Sequence, residues 1–377
     1  MVNEQTMRTW AEISLGNLEH NYRVLRACAP DSRFLGVVKA DAYGHGAIPV
    51  ARKLEAMGAD CLAVACLREA EELRGAGITA PILVLGVTPA EFAGRVVELG
   101  LTQTVFEPEL ARALSRAAEE WGTVARVHLK VDTGMSRLGA LGHDAAACAG
   151  ELAPLCVLPH LEAEGIYTHF ANADEDEEYT MLQFTRFLDV VDALRENYGV
   201  EFQIRHCAAS AAVLNYPCTH LDMIRPGIAL YGHYPHPSCE GLDGPGLLPV
   251  MTLKSRVAAV RSLPGNTPVS YGCTEQYGAE GGRVAVISIG YADGLHRVLS
   301  GEGSIFLAGQ PRPIMGRVCM DMCMVGLDDA AEVSPGDEAE IFGERFPVEH
   351  SAALAGTVQY ELLCAVSPRV PRIYPDA

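Results

Sequence analysis

The sequence predicts an α/β chain of two domains, a TIM-like (β/α)8 barrel over residues 1–240 and an all-β domain over 241–377. Three observations lead there. Strand-length apolar runs alternate with helix-length amphipathic segments through the first 230 residues, the pattern of parallel strands joined by crossover helices. The texture then changes at a Gly/Pro-rich stretch, GLDGPGLLPV, after which strand-length runs are punctuated by Gly, Pro and Asp. Finally, 377 residues exceed what one ordinary core holds.

Taken in order, TWAEISL (9–15) reads as a strand ahead of the barrel, placed to pair with the C-terminal domain. Barrel strands come next at 34–39 (FLGVVK), 61–66 (CLAVAC), 82–86 (ILVLG), 102–106 (TQTVF), 125–132 (ARVHLKVD), 163–169 (AEGIYTH), 203–206 (QIRH) and 222–225 (DMIR). Between them lie helical patterns at 46–58, 68–75, 89–99, 108–121, 142–153, 177–197 and 209–216. Thr88, Pro89 and Glu91 have the spacing of a capping box, with Thr88 at the N-cap of the 89–99 helix. The weakest strands, 102–106 and 203–206, decide between a closed barrel and an open doubly wound sheet. Beyond 241, the runs VMTLKSRVAAV, RVAVISIG, GSIFLAG, PRPIMGRVCMDMCMVGL and EAEIFG supply the β domain.

A hydrophobic content of 49% with 20% charged residues excludes general disorder. No stretch approaches the roughly 20 apolar residues of a membrane span, and the N-terminus carries no signal-peptide core, so the chain reads as soluble and cytoplasmic. The net charge of −19 repels nucleic acid and anionic membranes, which leaves a small molecule as the expected partner. The 12 cysteines include no CxxC pair, and several, Cys61, Cys66, Cys207 and Cys319 among them, lie in apolar runs, as buried free thiols do. His233, His236 and Cys239 in HYPHPSC offer three zinc-type ligands without a paired fourth, and their prolines mark a loop, so no metal is expected.

Barrels place their reactive groups at the C-terminal ends of strands. Lys39 ends FLGVVK, Arg137 comes after VHLKVD in a glycine-bearing turn, His169 ends GIYTH and Arg225 ends DMIR. Four such groups would converge on one mouth. A desolvated lysine there loses its proton readily and forms a Schiff base with a carbonyl cofactor. Pyridoxal phosphate needs such a lysine, a phosphate cup and a partner for its ring nitrogen. Gly227 in RPGIALYG admits close backbone approach, and Ser210 opens a short helix whose N-terminus favours anions.

The stretch VVKADAYGHG resembles the cofactor-lysine signature of the alanine racemases, fold-type III pyridoxal phosphate enzymes. TWAEISLGNLEHNYR, KVDTGMSRLG, GIYTHFANAD, DMIRPGIALYG, VSYG, ISIGYADG, GRVCMDM and RVPRIY occur in that family's order. The resemblance implies that Lys39 holds the cofactor, that Tyr43, Tyr360, Ser210, Gly227 and Ile228 surround its phosphate, and that Arg225 faces the pyridine nitrogen. His169 would lie against the ring, and Arg137 would reach the phenolic oxygen and the substrate carboxylate. Lys130 would match a lysine that is often carbamylated. Racemisation needs two bases, and the resemblance assigns Lys39 to D-alanine and Tyr271, from the partner subunit of a homodimer, to L-alanine; Met320 would contact the substrate carboxylate across that dimer. From its residues alone, Tyr271 reads as a strand aromatic. The sequence departs from many relatives at Ala209, where an asparagine is usual, while Tyr291 and Tyr360 match residues that narrow the entrance in favour of a methyl side chain. The implied activity is interconversion of L- and D-alanine, with D-alanine supplied to peptidoglycan. The alternatives are a serine or broad-specificity racemase, a decarboxylase using Cys319, and a non-catalytic pyridoxal phosphate carrier.

Overall fold

A computed structural model describes residues 7–240 and 246–375. The chain divides into two compact units, one of residues 18–42 and 47–247, the other of residues 1–17, 43–46 and 248–377. The Gly/Pro-rich junction expected at 241 falls, over residues 241–245, outside the described residues.

Strand β1 (Thr9–Ile13) precedes the barrel strands β2 (Arg33–Val37), β3 (Cys61–Val64), β4 (Ile82–Val84), β5 (Thr102–Val105) and β6 (Ala125–Asp132). The short β7 (Ala140–Leu141) pairs only with β6, and β8 (Leu161–Tyr167), β9 (Ile204–His206) and β10 (Met223–Ile224) complete the set. All pairings within this sheet are parallel, in the order β10-β2-β3-β4-β5-β6-β8-β9. The remaining seam is bridged where Arg225 N donates to Ala208 O (2.9 Å) and Asp222 N to Arg205 O (3.1 Å). The two weak strands thus exist, and the sheet curls into a nearly closed barrel rather than an open layer.

Helices cover the barrel where the sequence spaces apolar residues at three and four. The longest, Glu177–Tyr198, is capped by Asp176, which accepts from Tyr179 N at 2.9 Å, and ends at Gly199 in the left-handed region (φ 65°). The capping box expected at Thr88 is absent. Thr88 is buried and donates its hydroxyl to Gln103 Oε1 at 2.7 Å, so Pro89 precedes a 3-10 turn at Ala90–Phe92, followed by a helix at Ala93–Glu98. A partner on the neighbouring strand outcompetes the local backbone for that hydroxyl.

The barrel interior departs from the usual Val, Ile and Leu layers. Thr104, His128, Lys130, Tyr167, His206 and Arg225 are all buried.

The second unit is built around β11 (Met251–Leu263), which pairs with β1. The minor pair β12 (Pro268–Val269) and β13 (Glu275–Gln276) precedes β14 (Gly282–Ile287), a second neighbour of β11. Then come β15 (Ser304–Leu307), β16 (Gln310–Pro313), β17 (Cys323–Leu327), β18 (Glu338–Phe342) and the two-residue β19 (Arg372–Ile373), which lies parallel to β1. Ala308 and Gly309, both at positive φ, make the two-residue hairpin between β15 and β16. This unit is mostly strand rather than all strand, since short helices form at Val348–Ala355 and Gln359–Cys364. Among the thiols, Cys148, Cys207, Cys239 and Cys323 are buried; Cys66, expected inside, is exposed at the end of β3 where the helix Leu67–Gly75 begins.

Candidate active site

At the C-terminal ends of the barrel strands the chain places Lys39, Arg137, His169, Ser210, Arg225, Gly227 and Ile228 in one unit. Lys39 lies just past β2 and opens a turn of unusual hand. Ala40, Asp41, Ala42 and Tyr43 all have φ between 52° and 55°, a left-handed turn of L-residues, with Ala42 N donating to Val38 O at 2.9 Å. Each such residue costs roughly 1–2 kcal/mol. Asp41 partly offsets this by accepting from Ala47 N (2.7 Å) at the start of the helix Ala47–Ala56, and Glu69 accepts from Ala40 N at 2.7 Å.

Arg225, only 3% exposed, is held by a set of neutral acceptors. It donates to His206 Nδ1 (3.0 Å), Thr168 O (3.0 Å) and Cys207 O (3.2 Å), and lies 3.3 Å from His169 Nδ1. No carboxylate pairs with it among the described residues. Burial pulls its guanidinium below the ordinary arginine value, but arginine keeps its proton in a protein. Burial, followed by the charges of Arg225, Arg137, Lys130 and Lys39, holds His169 well below the usual histidine range, so its ring is neutral.

Lys130 sits deeper on β6, its ammonium 5.3 Å from the centre of the Tyr167 ring and donating to Val131 O at 2.7 Å. Burial, then Arg225 and Arg137, lower it to about 7, against the opposing pull of Asp132. Asp132 gathers the amides of Gly134, Met135 and Ser136 on one oxygen (2.9, 2.9 and 3.0 Å) and so shapes the turn that carries the exposed Arg137.

Ser210 Oγ accepts from Gly227 N (2.9 Å) and Ala229 N (3.2 Å), which brings a hydroxyl and two amides of the turn after β10 to one point. That convergence, the strand-end lysine and a buried cation without a described carboxylate partner together form a donor set that fits an aldehyde carrying a phosphate. Ala209 lends no side-chain cap to the Ser210–Asn215 helix.

The other unit holds Tyr43, Tyr360, Tyr271 and Met320. Tyr43 is buried with its ring centre 6.2 Å from that of Tyr360, and burial pushes its hydroxyl pKa up. Gly44 (φ 82°) passes so close to the chain that an added Cβ would lie 2.4 Å from Leu363 O. Tyr271 is 71% and Met320 53% exposed. Tyr271 opens a 3-10 turn next to Ser270, whose hydroxyl donates to Arg317 O at 2.5 Å; the Arg317 guanidinium lies against Gly272, 3.1 Å from where its Cβ would be. Tyr291 N donates to Cys319 O and Ala292 N to Met320 O, each at 3.0 Å, so the exposed Tyr291 and Met320 belong to one loop pair.

Sequence reasoning overlooked the left-handed turn and the role of Thr168, Cys207 and His206 around Arg225. A signal for His206 exists, since it ends QIRH as His169 ends GIYTH. HYPHPSC ends in a short 3-10 turn, Pro237–Cys239, in which His236 accepts from Ser238 N at 3.2 Å and Cys239 Sγ accepts from Asn215 at 3.3 Å.

Comparison with known proteins places these features in a family. The family model "Alanine racemase, N-terminal domain" matches residues 13–235, and "Alanine racemase, C-terminal domain" matches residues 250–374. The chain is 46% identical over 370 residues to an alanine racemase of Desulforamulus reducens, covering 97% of this chain and 98% of that one. It is also similar to the solved alanine racemase of Clostridium difficile 630, with a TM-score of 0.92, 39% identity and coverage of 98% and 96%. A third likeness is to the Bacillus anthracis alanine racemase with bound L-Ala-P, with a TM-score of 0.88, 35% identity and coverage of 97% and 95%.

Proposed function

The chain belongs to the alanine racemase family and interconverts L- and D-alanine as an isomerase, and from that premise we propose how its residues divide the work. Pyridoxal 5'-phosphate, tethered by Lys39 when bound, supplies the conjugation that acidifies the Cα–H of an attached amino acid. Ser210 with the Gly227 and Ile228 backbone, and Tyr43 with Tyr360, would hold its phosphate. Arg225 would face the ring nitrogen. The observation that carries this reading is the Arg225 environment: its neighbours are a neutral histidine, two carbonyls and His169, so its charge is left for the ring and no proton is available to transfer.

Racemisation requires proton removal on one face of Cα and delivery on the other. Lys39 Nζ serves the D face and Tyr271 Oη the L face. A tyrosine needs nearby positive charge to act as a base. Arg137 and the Met320 backbone would hold the substrate carboxylate, Arg137 through paired N–H donors. The exposure of Tyr271, Tyr291, Met320 and Met322 supports a homodimer in which these side chains face a second copy's barrel. No described helix is long and apolar enough to cross a membrane. We place the enzyme in the cytoplasm, making D-alanine for peptidoglycan.

The test is turnover of L-alanine and L-serine by the wild type and a Tyr271→Phe variant. Alanine should be strongly preferred, and the variant should keep its cofactor absorbance while losing on the order of 10²–10⁴ in turnover from L-alanine. Equal rates for serine would sink the substrate assignment, and full activity in the variant the two-base assignment.

A further inference from the structure

The proposed mechanism uses Arg225 and leaves unused two fully buried histidines behind it. His206 Nε2 lies 2.8 Å from His128 Nδ1, and His128 Nε2 lies 3.7 Å from Glu164 Oε2. The series Arg225, His206, His128, Glu164 crosses the barrel interior from the C-terminal strand ends to the opposite mouth. There Glu164 and His128 line a small cavity with Arg33, Asp60 and Thr102.

The proton positions along this series are set by donor and acceptor chemistry. A guanidinium only donates, so His206 Nδ1 must accept. A neutral His206 then carries its proton on Nε2 and donates to His128 Nδ1, which leaves the His128 proton on Nε2, facing the Glu164 carboxylate. Each step permits a single arrangement. Burial holds His206 well below and His128 below the ordinary histidine value, as neutral rings require. Tyr167 stacks on His206 at 4.7 Å and 8° and donates to or accepts from Thr104 at 2.9 Å, which fixes the ring plane.

The local sequence is shaped around this path. Pairing of β6 with β8 slips between Val127 and His128, so that His128 faces Gly165 and Glu164 is extruded as a bulge. The bulge breaks the strand alternation and lets Glu164 and Tyr167, three residues apart, both serve the interior. Gly165 needs no positive φ, yet a Cβ there would lie 2.8 Å from the His128 ring. Glycine is required because the imidazole packs flat on the strand.

Resting on the reading of Arg225 as the ring-nitrogen partner, we propose that His206 and His128 are positioning residues, a one-way hydrogen-bond relay that ends facing the Glu164 carboxylate, fixes the Arg225 guanidinium and feeds it a neutral lone pair. A carboxylate at the position of His206 would neutralise Arg225 and drain its influence on the cofactor. The relay holds the cation in place and keeps its charge intact, with the compensating anion at the far end of the barrel.

Neutron diffraction from the deuterated holoenzyme tests the relay itself: deuterium should occupy Nε2 and be absent from Nδ1 in both His206 and His128. Deuterium on both nitrogens of either ring, or the opposite tautomer, overturns the proposal. A Gly165→Ala variant displaces His128 without altering any polar group. Its bound-cofactor absorption band should shift and its kcat fall on the order of tenfold, with KM for L-alanine changed by no more than about twofold. An unchanged band and kcat in that variant, alongside a perturbed Arg225→Lys enzyme, overturns the relay alone. An Arg225→Lys enzyme with wild-type band and rates overturns the reading of Arg225 and the relay's purpose with it.

Discussion

Lys130 is a residue where the structure predicts a large response to pH. A lysine that falls from 10.5 to about 7 through burial and the nearness of Arg225 and Arg137 is disfavoured as an ammonium by about 5 kcal/mol, at about 1.4 kcal/mol per pH unit. The sign comes from proton counting. Between pH 7 and 10.5 the unfolded chain keeps the Lys130 proton and the folded chain does not, so stability rises with pH across that window. Below pH 7 both states are protonated and the full penalty is present. The perturbation is Lys130→Met, which keeps the chain length and removes the titration. In carbon-dioxide-free buffer, urea unfolding of the wild type should show stability climbing by about 3.5 kcal/mol from pH 7 to 10 relative to the variant.

The same neutral amine is a nucleophile at pH 8. Attack of Nζ on carbon dioxide forms an N–C bond and releases one proton, leaving a carbamate anion where the cation was costly. Added bicarbonate should therefore raise wild-type stability at pH 8 without affecting Lys130→Met, and a 13C-carbamate resonance should appear after labelling. Parallel stability–pH curves for the two proteins would refute the argument from burial, and absence of the carbon signal would refute the carbamate.

Three further outcomes are expected. Ser210→Ala leaves the amides of Gly227 and Ala229 without their acceptor, and thermal unfolding of the apoenzyme should report a loss of about 1–3 kcal/mol together with weaker cofactor retention by equilibrium dialysis. Asp293→Asn removes a 1%-exposed carboxylate that accepts from Arg8 (2.6 Å), Arg369 (2.7 Å) and Gly290 N (3.0 Å), and should cost about 1–3 kcal/mol in denaturant unfolding. Ala40→Val puts a β-branched residue at φ 54° on an exposed position, so strain alone should destabilise it by about 1–2 kcal/mol, whereas Ala40→Gly should lie within about 1 kcal/mol of wild type; equal stability of all three would refute the left-handed turn.

The barrel is legible because each of its strands is a short apolar run ended by a polar residue, and parallel topology then gathers those ends on one side. Lys39, His169 and Arg225 can be nominated from that rule alone, and the structure puts Arg225 3.3 Å from His169. The helices at Val348–Ala355 and Gln359–Cys364 escape notice because each spans no more than 8 residues, too short for the periodicity to separate from the strand texture around it. Thr88 misleads because its partner, Gln103, sits on the neighbouring strand and no local rule sees it. The left-handed turn leaves no trace in ADA, which holds no glycine. Alanine is simply the L-residue with the least side chain to carry into that region, and the conformation is imposed by the contacts that Asp41 and Ala40 make with Ala47 and Glu69.

That imposition ties the backbone to the chemistry. Four residues at φ near 53° represent roughly 4–8 kcal/mol of local cost, a large fraction of the whole stability of a typical domain. The capping bond of Asp41, the Glu69 contact and the buried, full-length β2 must outweigh it, and a regular right-handed helix after Val38 would avoid it altogether. A right-handed turn would send the chain after Lys39 along the other side of the β2 axis, since reversing every φ and ψ mirrors the backbone path. The strain therefore fixes the path by which the chain leaves the strand-end lysine, and it persists only because the surrounding structure over-determines it. Polar groups in the barrel core obey the same logic. The interior of a barrel is ordinarily filled with aliphatic layers, and replacing them by His128, Lys130, His206 and Arg225 forfeits hydrophobic burial and demands a partner for every polar atom. Those partners are present, they run in one direction, and they end on the guanidinium at the mouth, which no described carboxylate pairs.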